Sequence, residues 1–322
     1  MTPVVIDAMN NISNYFCTII GKAYLIKGLS LYLSLSQNIK EFSLWICCMD
    51  NEIYDILNSL NLSNVVLYRL EDIEDDELKA AKENRSFREY CWTMKAPFIL
   101  HIFENYSYVD HILYLDADTY LFGSTEEIYE EWGDGSILLC KQRDDQNDDI
   151  YGIYQAGVIG FKKDINGLEC LNWWRSKCIE WCYDRYDDPI RWGDQKYMNN
   201  WPEIFHGVVV VKSLGINTAA WYLKYYNFSL RKNNIYIEND RLILFHFTSF
   251  FILNENEFTF WKWNNLKIIK RVKKLVYLPY VKTVKRAKKM IEPFTKNIHE
   301  FYSSDINKNN VSNYFRSKMW WI

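Results

Sequence analysis

Two aspartates separated by one residue, Asp116 and Asp118, end the apolar run His111-Ile112-Leu113-Tyr114-Leu115. Carboxylates spaced this way at a strand end can point to the same side. Such oxygen ligands suit Mg²⁺ or Mn²⁺, and an added imidazole tilts the choice toward Mn²⁺. His246, near the end of a second apolar run, RLILFHF, is the candidate third ligand. A plainer reading stays open, in which the aspartates are solvated or cap a turn and the histidine is a hydrogen-bonded structural residue.

Two further segments carry polar chemistry. In Trp192-Gly193-Asp194-Gln195-Lys196, Asp194 could take or orient the proton of a hydroxyl, or cap a helix. In Tyr154-Gln155-Ala156-Gly157-Val158, Gly157 would allow close approach of a ligand and Gln155 would bond hydroxyls. The same five residues could equally form a tight turn into a strand.

The elements that must position these residues read as α/β. YFCTII, FSLWICCM and NVVLYRL are strand runs, separated by helical patterns through LIKGLSLYLSL and EIYDILNSL. This alternation predicts a mostly parallel sheet covered by helices. HILYLDAD, SILLC, AGVIGF, GVVVV and RLILFHF supply further strands. Ligands of open α/β sheets bind beyond the carboxyl ends of the strands, which is where the acidic pair would lie. Cys170, Trp174, Cys178 and Cys182 recur at every fourth position of a helical segment, which predicts core packing rather than metal binding.

Composition narrows the function. At 322 residues and 49% hydrophobic content, a substantial core is expected. The net charge of -3 hides an asymmetry, since residues 262–322 hold 15 of the 38 Lys+Arg and only 3 of the 41 Asp+Glu. The acidic remainder argues against nucleic acid as a partner. The first residues, MTPVVIDAMNN, lack a basic leader and an unbroken apolar stretch, so secretion and membrane spanning are disfavoured. None of the eight cysteines forms a Cys-x-x-Cys pair, and reduced thiols are expected. The compositional break near Trp261 suggests two units, residues 1–261 and a basic helical extension, residues 262–322.

In order along residues 15–250, the motifs resemble bacterial GT-A glycosyltransferases, nucleotide-diphospho-sugar transferases related to glycosyltransferase family 8. The resemblance rests on Cys17-Thr18, the helix Lys27 to Tyr32, Asp50, Arg85-Ser86, Glu89 to Thr93, Tyr114 to Asp118, Gln155 to Phe161, Trp173 to Tyr183, Gly193 to Trp201, and Phe245-His246-Phe247. It implies a GT-A, Rossmann-like fold with a mixed, mostly parallel sheet and a metal held by Asp116, Asp118 and His246. It further implies a nucleoside near Thr18 and Asp50, with Lys82, Arg85 and Lys95 near the pyrophosphate or base. Gln155, Gly157, Asp194 and Gln195 would face the sugar, and Asp194 and Gln155 are the candidate catalytic residues. The activity implied is transfer from a nucleotide diphosphate donor, UDP-linked by resemblance, to a glycan or lipid-linked acceptor in surface polysaccharide synthesis. If the enzyme inverts, Asp194 is the general base; if it retains, as family 8 suggests, Asp194 or Gln155 binds sugar or acceptor.

The chain departs from the family pattern in two places. Relatives tend to read Asn-x-Ala-Pro-Trp-Asn where this chain has Asn217-Thr218-Ala219-Ala220-Trp221-Tyr222. Family 8 enzymes usually follow the histidine with Gly and Lys-Pro-Trp, whereas Phe247-Thr248-Ser249-Phe250 stands here. Two rival readings are a non-catalytic carbohydrate-binding protein of the same fold and a sugar-nucleotide hydrolase; a nucleotidyltransferase would call for a Gly-rich loop that YFCTIIGKAYLIKG lacks. In the tail, Val281, Val284, Ala287 and Met290 stand opposite Lys282, Lys285, Arg286, Lys288 and Lys289, as a basic amphipathic helix separated from its predecessor by Pro279. Such a helix could lie on an anionic leaflet, placing a cytoplasmic protein at the inner face of the membrane, or dock on the body.

Overall fold

The computed structural model describes residues 14–144, 148–186, 191–262, 265–303 and 313–317; the leader reading of residues 1–11 lies outside them. The chain folds around a seven-stranded sheet made of β1 (Tyr15–Ile20), β2 (Ser43–Cys48), β3 (Val65–Arg69), β4 (His111–Leu115), β6 (Ile137–Lys141), β7 (Tyr154–Lys162) and β8 (Val208–Val210). Its order is β3-β2-β1-β4-β7-β6-β8, parallel except for β7, which runs against both neighbours. The mixed, mostly parallel α/β sheet is the one the strand runs predict.

Alternation along the strands sorts the apolar residues into two layers. Phe16, Leu44, Ile46, Leu113 and Leu115 join a core covered by helix α1 (Leu25–Asn38) and helix α2 (Asn51–Leu60). Cys17, Trp45, Ile112, Tyr114 and Phe161 join a core on the other face. There they meet α4 (Lys95–Asn105), which follows the short α3 (Phe87–Thr93), and α5 (Ile165–Glu180). Cys170, Trp174, Cys178 and Cys182 are all within 1% of full burial there, as expected of core residues. Helix α5 stops at Glu180, so Cys182 lies beyond its end.

Three smaller sheets surround this one. The first joins β5 (Thr119–Leu121), β9 (Thr218–Ala219) and β13 (Leu244–His246), in the order β5-β13-β9. A meander of β10 (Phe228–Arg231), β11 (Asn234–Ile237) and β12 (Asp240–Arg241) forms the second. In the third, β15 (Glu257–Thr259) pairs with β14 (Phe251–Ile252) and with β16 (Tyr314–Arg316).

The basic tail shares the body's core. Helix α6 (Leu278–Ile291) buries Tyr280, Val281, Val284, Ala287 and Ile291 within the layer that holds α1. The apolar stripe read from the sequence as a possible membrane face therefore docks on the body, because burying it there removes apolar area from water without a lipid partner. Pro279 does not separate two helices as the sequence suggested. Residues Lys273–Tyr277 form a π-type turn that runs into α6, and Pro279 stands in the first turn of that helix, where a missing N–H is tolerated. Among the described residues no helix is long and apolar enough to cross a membrane.

Candidate functional site

Asp116 follows β4 directly, and its backbone N–H donates to the Gly157 carbonyl at 2.8 Å, extending the ladder between β4 and β7 by one residue. The chain then turns, with Thr119 donating from its backbone N–H at 2.9 Å and its hydroxyl at 2.8 Å to the Asp116 carbonyl. This turn starts β5, whose Thr119 pairs with His246 at the end of β13. The ladder closes with the Phe247 N–H donating to the Asp118 carbonyl at 2.8 Å. Residues distant in sequence thus meet through an antiparallel register.

The register delivers three potential ligands to one point. His246 Nε2 lies 3.1 Å from Asp118 Oδ1 and 3.7 Å from Asp116 Oδ2. One ligand atom from each of the three residues falls within 4.8 Å of the others. A Cβ at Gly157 would stand 2.5 Å from His246 Cε1 and 3.0 Å from Asp116 Oδ2. Glycine is needed there so that ring and carboxylate can converge. The strand is irregular at the same place: pairing jumps from Leu139 with Ile159 to Cys140 with Gln155, a bulge that bends β7 beside the cluster.

Charge is concentrated under the site. Lys95, at the start of α4 and 3% exposed, places Nζ 2.9 Å from Asp194 Oδ2 and 3.3 Å from Asp116 Oδ1. Its ammonium also donates to the Ala156 carbonyl at 3.0 Å. On the other side Lys27 Nζ lies 3.7 Å from Asp118 Oδ2. Burial alone would raise the Asp118 carboxyl, but the charges of His246 and Lys27 outweigh it and hold it at about 2. Burial works against protonated His246, and the neighbouring Asp118 and Asp116 more than reverse this, leaving the imidazole above its ordinary value. Asp194 is pushed up by burial against the pull of Lys95.

The other predicted residues divide. Gln155 is buried, and its Nε2 donates to the Lys141 and Asn217 carbonyls at 3.2 Å each. Its Oε1 is buried without a hydrogen-bond partner among the described residues. Gln155 and Gly157 lie within β7, not in a turn before it. Gln195 holds the backbone, accepting from the Ala156 N–H at 3.0 Å and donating to the Tyr151 carbonyl at 3.0 Å. Asp194 caps no helix: its carboxylate faces Lys95, while its carbonyl accepts from Trp174 Nε1 at 3.0 Å.

The residues expected around a nucleoside and its phosphates are more scattered. Asp50, just beyond β2, accepts from the Ile53 N–H at 3.0 Å and caps α2. Thr18 lies inside β1 and is fully buried. Lys82 pairs with Glu74 at 2.8 Å on the surface. Arg85 donates to the Ile179 carbonyl at 3.1 Å, in the last turn of α5, and stacks 4.0 Å from the Tyr183 ring centroid. Lys95 is drawn into the acidic cluster instead.

Two residues, Lys27 of the cluster and Asn217 beside Gln155, were not singled out as site residues in the sequence. Lys27 could have been noticed as a lone charge in the apolar pattern LIKGLSLYL. Asn217, fully buried at φ +59°, directs its side-chain amide toward the Cys140 thiol and accepts from Gln155 Nε2 through its backbone carbonyl. Its signal in the sequence was its place at the head of Asn217-Thr218-Ala219-Ala220-Trp221-Tyr222, where it keeps the first residue of the family pattern.

No protein-family model matches the chain. It is 31% identical over 277 residues to the uncharacterized protein YfnD of Bacillus subtilis (strain 168), covering 84% of this chain and 89% of that protein. To the uncharacterized protein YfnF of the same organism it is 30% identical over 253 residues, 75% of this chain and 83% of that protein. Among solved structures it is similar to the galactosyltransferase LgtC in complex with donor and acceptor sugar analogs, with a TM-score of 0.52 and 13% identity over 84% of this chain and 95% of that one. The apo form of the glycosyltransferase GlyE of Streptococcus pneumoniae TIGR4 gives a TM-score of 0.53 and 14% identity over 88% of this chain and 63% of that one. The fold is that of the GT-A glycosyltransferases.

Proposed function

From its membership of the family that includes YfnD and YfnF, and its GT-A fold, we propose that the chain is a metal-dependent glycosyltransferase using a nucleotide diphosphate sugar. The observation that carries this reading is the convergence of Asp116, Asp118 and His246 at the carboxyl end of β4, beside a glycine without which they could not meet. Two carboxylates and an imidazole form a donor set that suits Mn²⁺, with Mg²⁺ as the alternative. The fit is supported by the direction of His246 Nε2, which faces both carboxylates. When bound, the cation supplies Lewis-acid stabilisation to negative charge growing on a departing diphosphate.

The protein's own residues do the rest. The turn from Asp116 to Thr119 and the β5-β13 ladder hold the three ligands before any substrate arrives, so little reorganisation is left to the reaction. The buried Gln155 Oε1, without a hydrogen-bond partner among the described residues, is suited to a sugar hydroxyl. Gly157 and Gln195 shape the strand that carries Gln155. Asp194 is nearly water-free and committed to Lys95. Its proposed role is to fix Lys95 and through it Asp116, not to take a proton from the acceptor, which favours the retaining course. The partly exposed Asp50 at the end of β2 is proposed to line the nucleoside pocket, and Thr18, Lys82 and Arg85 to support its walls.

The acceptor is proposed to be a glycan or a lipid-linked sugar, with UDP-sugars as donors. Lys282, Arg286 and Lys289 stay exposed on α6 and support a charge-driven approach to an anionic inner membrane face, at about 1 kcal/mol per basic residue. Vesicle flotation of full-length protein with these three changed to Glu tests that part, and undiminished flotation would overturn it.

The reading as a whole is tested by incubating purified protein with Mn²⁺ and a panel of UDP-, GDP- and CMP-sugars and detecting released nucleotide, with Asp116→Ala/Asp118→Ala alongside. Release from one donor, lost with EDTA and with the double substitution, is expected. Donor binding without turnover would favour the non-catalytic reading, and release that no acceptor accelerates would favour a hydrolase.

A further inference from the structure

Lys27 projects from the first turn of α1, a helix held against the sheet by Leu25, Ile26 and Leu29. It is 4% exposed. Its ammonium lies 3.7 Å from Asp118 Oδ2, 4.5 Å from the centroid of the Tyr24 ring and 5.6 Å from that of Phe251. Among the described residues, Asp118 is the anion it pairs with. A lysine with this little access to water needs a compensating charge, and here that charge belongs to a residue of the ligand cluster.

The other basic residues expected near phosphates are engaged elsewhere. Lys82 pairs with Glu74, Arg85 with the carbonyls ending α5, and Lys95 with Asp194 and Asp116. The segment after His246, Phe247-Thr248-Ser249-Phe250, has no basic residue. The cluster holds three carboxylates, Asp116, Asp118 and Asp194, against two ammonium groups, Lys27 and Lys95. A divalent cation seated among these carboxylates would add two positive charges beside Lys27. The arriving positive charge would also repel Lys27 from Asp118.

We propose that Lys27 is the resident counter-cation of Asp118: it competes with a divalent cation for that carboxylate and, once displaced, donates to the oxygens of the donor's diphosphate. This inference rests on the proposed metal and nucleotide use of the same site. It makes Lys27 a positioning residue in the empty protein and a diphosphate contact in the loaded one. Cation and diphosphate should therefore bind with positive coupling, because each removes the penalty that the other would meet alone.

The test uses the full chain and its Lys27→Met and Lys27→Arg variants, with Lys27→Gln as a second neutral variant should the first fail to fold. Binding of Mn²⁺ alone is measured by the electron paramagnetic resonance of free Mn²⁺, and binding of UDP at saturating Mn²⁺ by calorimetry, with GDP if UDP is not bound. Removing the lysine charge is expected to tighten Mn²⁺ alone about tenfold and weaken the diphosphate about tenfold, since charges at this spacing interact by kcal/mol even with partial screening. Lys27→Arg should keep the diphosphate affinity near that of the unaltered protein. A merely structural lysine would not move the two affinities in opposite directions. Normal binding by the unaltered protein with no opposed shift in the neutral variants overturns this inference alone. Absence of Mn²⁺ and diphosphate binding in the unaltered protein overturns the metal-dependent reading and this inference with it.

Discussion

Lys95 and Asp194 form a buried ion pair at 2.9 Å, each at most 3% exposed, directly beneath the carboxylates gathered at the end of β4. The pair joins α4 to the segment that follows α5, and Asp116 shares the same ammonium at 3.3 Å. Lys95→Met would strand two carboxylates and should cost about 3–5 kcal/mol in chemical denaturation. Lys95→Met/Asp194→Asn should recover a large part of that loss. A double variant no more stable than the single would show that the lysine does not serve chiefly to balance Asp194.

Gly157→Ala should injure the ligand cluster more than the fold. Its methyl would stand 2.5 Å from the His246 ring, forcing the imidazole away from both carboxylates. Support residues of metal sites commonly change affinity by about 10–100-fold, and a loss of that size is expected for Mn²⁺. Equal Mn²⁺ affinity in the two proteins, read from free-ion resonance, would mean that His246 is not a ligand.

Tyr280 of α6 stacks on Phe247, the residue after His246, with centroids 3.7 Å apart and an interplanar angle of 10°. The tail thus supports the strand that carries His246. Tyr280→Ala should cost about 3–5 kcal/mol, as large-to-small core changes do. Cutting the chain after residue 261 should give an unfolded product, visible as loss of the near-ultraviolet dichroism of its aromatic residues. A cooperative thermal transition in that fragment would show instead that the body folds without its tail.

The cysteines should be nearly inert. Seven of the eight are buried, and burial pushes the thiols of Cys48, Cys91 and Cys140 up to about 12. Alkylation of the native protein should therefore stay slow from pH 7 to 9, while all eight react after unfolding. Because the folded thiols hold their protons more tightly than unfolded ones, their contribution to stability is intact below the unfolded thiol pKa of about 8.5 and is lost as pH rises above it. Denaturation midpoints should fall accordingly between pH 7.5 and 9.5. A constant midpoint would show that these thiols do not govern alkaline stability.

The strand and helix runs, the placing of Asp116 and Asp118 at the end of β4, and the core role of Cys170, Trp174 and Cys178 were all legible in the sequence. Each depends on local periodicity: alternation sorts the two faces of a strand, and spacing of four lines one face of a helix. The motif order, read as resemblance, also anticipated the fold. What spacing could not give was the meeting of His246 with residues 128 and 130 positions away, which the β5-β13 register alone decides. Nor could it tell that Lys95 balances Asp194, that Lys27 reaches Asp118, or that the stripe on α6 docks beside α1. An apolar stripe has the same pattern whichever surface covers it, and a charge has the same letter whatever partner lies across the fold. Only tertiary packing supplies the partner, because burial and charge pairing act through distance in space and not along the chain.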